Sequence, residues 1–148
     1  MKTLLMLLLG AAGAFFAGCA TPFRPPADVA HVKLATSDAE STTVMLSKIW
    51  LERKDGPLVV TGYAVKRLDA KDTTQTHLDV ILSNAAGQVL RRTVDHFEPR
   101  QIPRRYRRPD YATYRVALDP LPTGTARIEV RAHEGECRDL SPTSAPRE

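Results

Sequence analysis

The chain has 148 residues, of which 43% are hydrophobic and 26% charged, with a formal net charge of +4. That length suits one domain with a modest core, and its glycine, proline and aromatic content excludes disorder throughout. No G-x-S-x-G, H-E-x-x-H, P-loop or C-x-x-C motif occurs. With no nucleophile paired to a base, the sequence argues for a non-catalytic protein.

In chain order, Met1-Lys2-Thr3 precede the apolar run from Leu4 to Leu9, followed by small and aromatic residues to Gly18. One cation, a short apolar stretch and small residues form the layout of a secretory signal. A membrane-spanning helix needs about 20 apolar residues; this stretch stops short and runs into Pro22, Pro25 and Pro26. Phe16-Ala17-Gly18-Cys19 resembles the lipobox of bacterial lipoproteins, with Phe16 where leucine is commonest. The resemblance implies that Cys19 receives a diacylglyceryl group, becomes the first mature residue after cleavage, and is acylated on its new amino group. The covalent lipid on Cys19 is then the anchor, and no other cofactor is expected. Ala20, not aspartate, follows that cysteine, which implies sorting to the periplasmic face of the outer membrane. The same letters allow a second reading: Gly18-Cys19-Ala20 fits a small-x-small cleavage rule that releases a soluble protein beginning at Thr21.

Removing residues 1–18 takes away Lys2 and no acid, leaving 20 basic against 17 acidic side chains. Residues 20–28, ATPFRPPAD, predict a stiff, extended spacer of about 3.1 Å per residue. The expected organisation is a signal peptide over 1–18, a lipidated cysteine and linker over 19–28, a β domain over 29–137 and a disordered tail over 138–148.

Within the domain, alternation dominates and helix signals are scarce. AHVKLAT, from Ala30, suggests a first strand. The run Val44–Arg53 connects through KDGP to Leu58–Arg67, where Gly62 suggests a bulge or a close backbone approach. Trp50 is a core candidate, but Ile49 and Leu51 flank it on the opposite face, so its strand is buried on both sides or bulged. THLDVILSN directs Leu78, Val80 and Leu82 inward and His77, Asp79 and Ile81 outward, with Asp79 able to pair with Arg91 across the hairpin. SNAAGQ offers Gly87 for a left-handed turn position. ATYRVALD groups Tyr114, Val116 and Leu118. DPLPTG, with two prolines, lies outside a sheet, and TARIEVRAH puts Ala126, Ile128, Val130 and Ala132 on one face.

Six to seven short strands at regular spacing predict an all-β, two-layer antiparallel β-sandwich. The stretches LVVTGYAVKR, HLDVILSNAAGQVL and YRVALDPLPTGTARIEV resemble, in order, immunoglobulin-like or fibronectin III-like domains of bacterial lipoproteins; a transthyretin-like sandwich fits the same pattern.

Two segments carry candidate chemistry. Between Arg91 and Arg108 lie seven arginines against Asp95 and Glu98, and Pro99, Pro103 and Pro109 mark most of the stretch as a long loop. Arginine offers a planar fork for phosphate and carboxylate, and Tyr106 interleaved among arginines can stack. Arg91, Arg92, Arg100, Arg104, Arg105, Tyr106, Arg107 and Arg108 therefore form a candidate surface for an anionic envelope lipid or an acidic envelope protein. Nucleic acid is not an expected partner in that compartment, and the blander account is a solvated loop held open by like charges. The second segment, RAHEGEC, spaces His133 and Cys137 as two possible zinc or copper ligands. His31, His77 and His96 fall singly along the sequence, so no further ligand cluster is visible. With Cys19 lipidated, Cys137 is the one remaining thiol: buried, in a mixed disulfide, or bridging two chains. Oligomeric state is left open.

The expected function is a lipid-anchored periplasmic accessory or binding module. The alternative is a metal- or thiol-handling protein acting through His133 and Cys137.

Overall fold

A computed structural model describes residues 25–53, 56–104 and 111–135. Seven strands follow a short 3-10 turn at Ala27–Val29: β1 (Lys33–Glu40), β2 (Val44–Glu52), β3 (Val59–Lys66), β4 (Thr76–Ser83), β5 (Val89–Asp95), β6 (Tyr111–Ala117) and β7 (Arg127–Glu134). They form two sheets, ordered β1-β7-β4-β5 and β2-β3-β6, which is the expected all-β sandwich.

The alternating positions set the core. Leu78, Val80 and Leu82 of β4 and Ile128, Val130 and Ala132 of β7 are buried. They belong to one cluster with Val44, Leu51, Val60, Ala64, Ala112, Tyr114 and Val116 from the other sheet. Period-two patterning places each strand's apolar side in that shared layer. Gly87 takes the left-handed turn conformation anticipated for it, at φ 82°.

One pairing departs from the wholly antiparallel expectation. β1 lies parallel to β7, from Lys33 opposite Arg127 to Glu40 opposite His133, with a register shift after Ser37. These strands come from opposite ends of the described domain, so no hairpin dictates their direction.

The β2 pattern resolves through a bulge. The β2–β3 register shifts between Ser47 and Ile49, opposite Gly62, and Lys48 takes a positive φ of 50°. The extra residue restores the inward phase, so Leu51 is buried while Trp50 is half-buried on the outer face, edge-on to Tyr63. Trp50 is thus not a core residue. Gly62 faces inward under Tyr114: a Cβ there would meet the phenol end of Tyr114 and lie 2.6 Å from the Lys48 carbonyl oxygen. Both the bulge and the close approach are present.

Two other boundaries differ from expectation. Residues 27–29 close a turn, with the Val29 amide donating to the Pro26 carbonyl at 3.1 Å and Val29 buried, so the domain begins inside the expected spacer. Residues 96–104 are not an open loop. Phe97 and Ile102 are buried in the core, and Glu98 and Thr113 exchange backbone hydrogen bonds of 2.8 and 3.0 Å. Thr73 Oγ1 donates to the Arg100 carbonyl at 2.6 Å and accepts from the Ile102 amide at 2.9 Å.

Candidate functional site

The described arginines of the basic segment divide by strand parity. Arg91 and Arg92 belong to β5. Arg91 stands opposite Leu82 and therefore on the inner side of the sheet, while Arg92 stands opposite Ile81 on the outer side. The Arg91 guanidinium bonds the Leu118 carbonyl and, at 2.8 Å, that of Pro120. Arg92 pairs with Asp79. The partner of Asp79 is thus Arg92 and not Arg91, because only Arg92 shares its face. Arg100 donates to the Thr74 carbonyl at 2.7 Å, and Arg104 is exposed. Three of these four arginines are tied to the domain itself. Arg105, Tyr106, Arg107 and Arg108, with Cys19 and Cys137, lie outside the described residues.

On the outer face of the β1-β7-β4-β5 sheet, the structure gathers histidines that sequence spacing alone leaves apart. His77 on β4 stands opposite His133 on β7, and His96 follows directly after β5. The His77 ring centroid lies 5.0 Å from that of His96 and 5.7 Å from that of His133. The Nδ1 atoms of His77 and His96 are 3.3 Å apart, so one ring donates and the other accepts. Burial first, then the neighbouring His96, His133 and Arg100, hold the His77 imidazole below its ordinary pKa.

Asp79 sits beside this row. Its outward position does not expose it: β4 is flanked by β5 and β7, and Asp79 is only 4% exposed. Its Oδ2 is 3.5 Å from His133 Nδ1, without hydrogen-bond geometry; that nitrogen and Asp79 Oδ1 are both buried with no hydrogen-bond partner. Further along the face, Glu129 pairs with Arg131 at 2.8 Å and Arg127 at 3.1 Å. At the end of β7, one residue past His133 and opposite Thr76, Glu134 straps the β1–β2 turn. Its carboxylate accepts from the Thr42 amide and the hydroxyls of Ser41, Thr42 and Thr43 at 2.7–2.9 Å, and from the Thr43 amide at 2.9 Å. Burial pushes its pKa up, but these donors outweigh burial and bring it to about 2.

The outer face of the β2-β3-β6 sheet is aromatic. Tyr63 is edge-on to Trp50 at 5.5 Å and to Tyr111 at 5.2 Å. Ser47, Lys48, Tyr63, Val65 and Tyr111 line a shallow cleft of about 350 Å³.

Part of the histidine row was readable: extending the β4–β5 hairpin register by one residue sets His77 against His96. His133 joins through β4–β7 pairing, which is remote in sequence and carries no local signal. Among the described residues, no three His, Cys, Asp or Glu side chains are arranged to hold a metal ion. Comparison with protein-family models found no match, and neither curated proteins nor solved structures gave a significant one.

Proposed function

We propose that this chain is a lipid-anchored binding module of the bacterial envelope, tethered through Cys19 at the periplasmic face of the outer membrane. It contacts an anionic lipid or an acidic envelope protein through the basic stretch Arg104–Arg108. The observation that supports the reading is that the described residues on both sides of that stretch are fixed in the sandwich. Ile102 is fully buried on one side of it, and on the other Tyr111 opens β6, opposite Val65 of β3. Four arginines within five residues thus lie in the sequence between two segments that belong to the sandwich. Arg91, Arg92 and Arg100 support the domain instead, since their guanidinium groups bond within it. Clustered cations raise the local concentration of anionic partners, and the attraction falls with salt.

The test uses the mature polypeptide without acyl chains and the variant with Arg104, Arg105, Arg107 and Arg108 changed to Gln. The unaltered protein is expected to sediment with anionic but not neutral vesicles, or to retain an acidic envelope protein, and to release either as salt rises. Equal binding by the variant overturns this role. The anchor is tested by intact mass of protein from its own membranes: residues 19–148 plus acyl chains are expected, and an unmodified chain beginning at Thr21 overturns tethering.

A further inference from the structure

We propose that His77 and His96 are the protein donors of a surface site for a borderline divalent transition-metal ion, copper(II) or zinc(II), with water completing its coordination. The inference goes beyond the envelope-binding reading and does not depend on it.

The spacing of the two Nδ1 atoms suits a chelate. Two imidazole nitrogens bound to one ion at about 2.0–2.1 Å each sit roughly 2.9–3.4 Å apart at the angles of tetragonal or tetrahedral sites. His77 Nδ1 and His96 Nδ1 are already 3.3 Å apart. Binding requires both Nδ1 lone pairs. The proton that one ring now carries at Nδ1 moves to its own Nε2, so both rings remain neutral and no net proton is released. Imidazole ligands select zinc and copper over magnesium or calcium, which prefer oxygen.

The surroundings hold the two residues in place and limit the opposing charge. His77 is held on β4 between two paired strands. The His96 amide donates to Asp95 Oδ1 at 2.7 Å, which pins the residue just beyond the β5 edge. Of the cations on this side, Arg92 is paired with Asp79 and Arg131 with Glu129, while Arg100 is directed to the Thr74 carbonyl. His133 lies behind His77 with its Nδ1 toward Asp79, so it supports the site as a neighbour and not as a third donor. The site is therefore different from the His133–Cys137 pair suggested by spacing.

The mature chain is titrated with copper(II) and, separately, zinc(II), followed by calorimetry and, for copper, by electron paramagnetic resonance. One ion per chain with a two-nitrogen imidazole signature is expected. His77→Gln and His96→Gln should each weaken binding about tenfold or more, a loss that even outer-shell partners of a metal can produce. Cys137→Ser should leave it unchanged. No uptake by the unaltered protein, or uptake lost in Cys137→Ser and retained in the histidine variants, overturns the site. Should the histidine variants fold poorly, the unaltered protein decides the question. Substoichiometric copper should broaden the ring proton resonances of His77, His96 and neighbouring His133 before those of His31; broadening that begins at His31 overturns the proposal.

Discussion

The two outer faces of the sandwich use the same alternation to opposite ends. On the four-stranded sheet, the outward positions of β4, β5 and β7 carry His77, Asp79, Arg92, Glu129, Arg131 and His133, with Arg92 paired to Asp79 and Arg131 to Glu129. On the three-stranded sheet, Trp50, Tyr63 and Tyr111 meet edge to face beside Val65. One face is organised by charge, and its stability should follow salt and pH. The other is organised mainly by shape above a bulge, with the Arg115–Glu52 ion pair beside it, and should respond less to either. The difference shows that burial on an outer face depends on strand position within the sheet as much as on residue type: Asp79 is buried because β4 is an interior strand.

The sharpest way to break the shape-governed side is Gly62→Ala. The added carbon would collide with the Tyr114 phenol and the Lys48 carbonyl. We expect a loss of about 3 kcal/mol, at the upper end of ordinary overpacking costs, read from urea unfolding midpoints and unchanged between low and high salt. On the charged side, Asp79→Ala strands the Arg92 guanidinium, which is partly exposed and can turn to water. The expected loss is about 2 kcal/mol, and the gap from the unaltered protein should narrow as salt weakens the pair. A gap independent of salt would erase the distinction between the faces.

Glu134→Gln has the smallest effect and the clearest pH signature. It removes the anionic acceptor at the partly solvated β1–β2 turn, where solvent screening reduces the worth of the pKa shift, and should cost about 1 kcal/mol near neutrality. The folded pKa of Glu134, about 2, lies below its ordinary value of 4.5. Its contribution is therefore fully present above pH 4.5 and is lost as pH falls toward and through 2. The variant and the unaltered protein should converge in acid; a gap that persists at pH 2 would assign the effect to packing.

Strands and their inward faces were legible because alternation is local: Leu78, Val80 and Leu82, or Ile128, Val130 and Ala132, identify themselves within a few residues. Gly62 and Gly87 were legible for the same reason, as backbone positions that other residues fit poorly. Partner choice was less so. The β4–β5 ladder shifts between Leu82 and Ser83, and strand parity assigns Asp79 to Arg92, the residue next to the one its spacing suggested. The histidine row depends partly on β4–β7 pairing across more than fifty residues of sequence, which no short window contains. The basic composition of 91–108 is legible, but the burial of Phe97 and Ile102 within it is not, since two isolated apolar residues among prolines and arginines show no period.

The parallel partnership of β1 with β7 carries a mechanical consequence. For a chain tethered ahead of β1 and loaded beyond β7, the force draws these two strands lengthwise past each other. Their interstrand bonds then share the strain at once, as in a clamp, where an antiparallel pair pulled at one end would open bond by bond like a zipper. Such a seam resists shear between the two ends of the described domain.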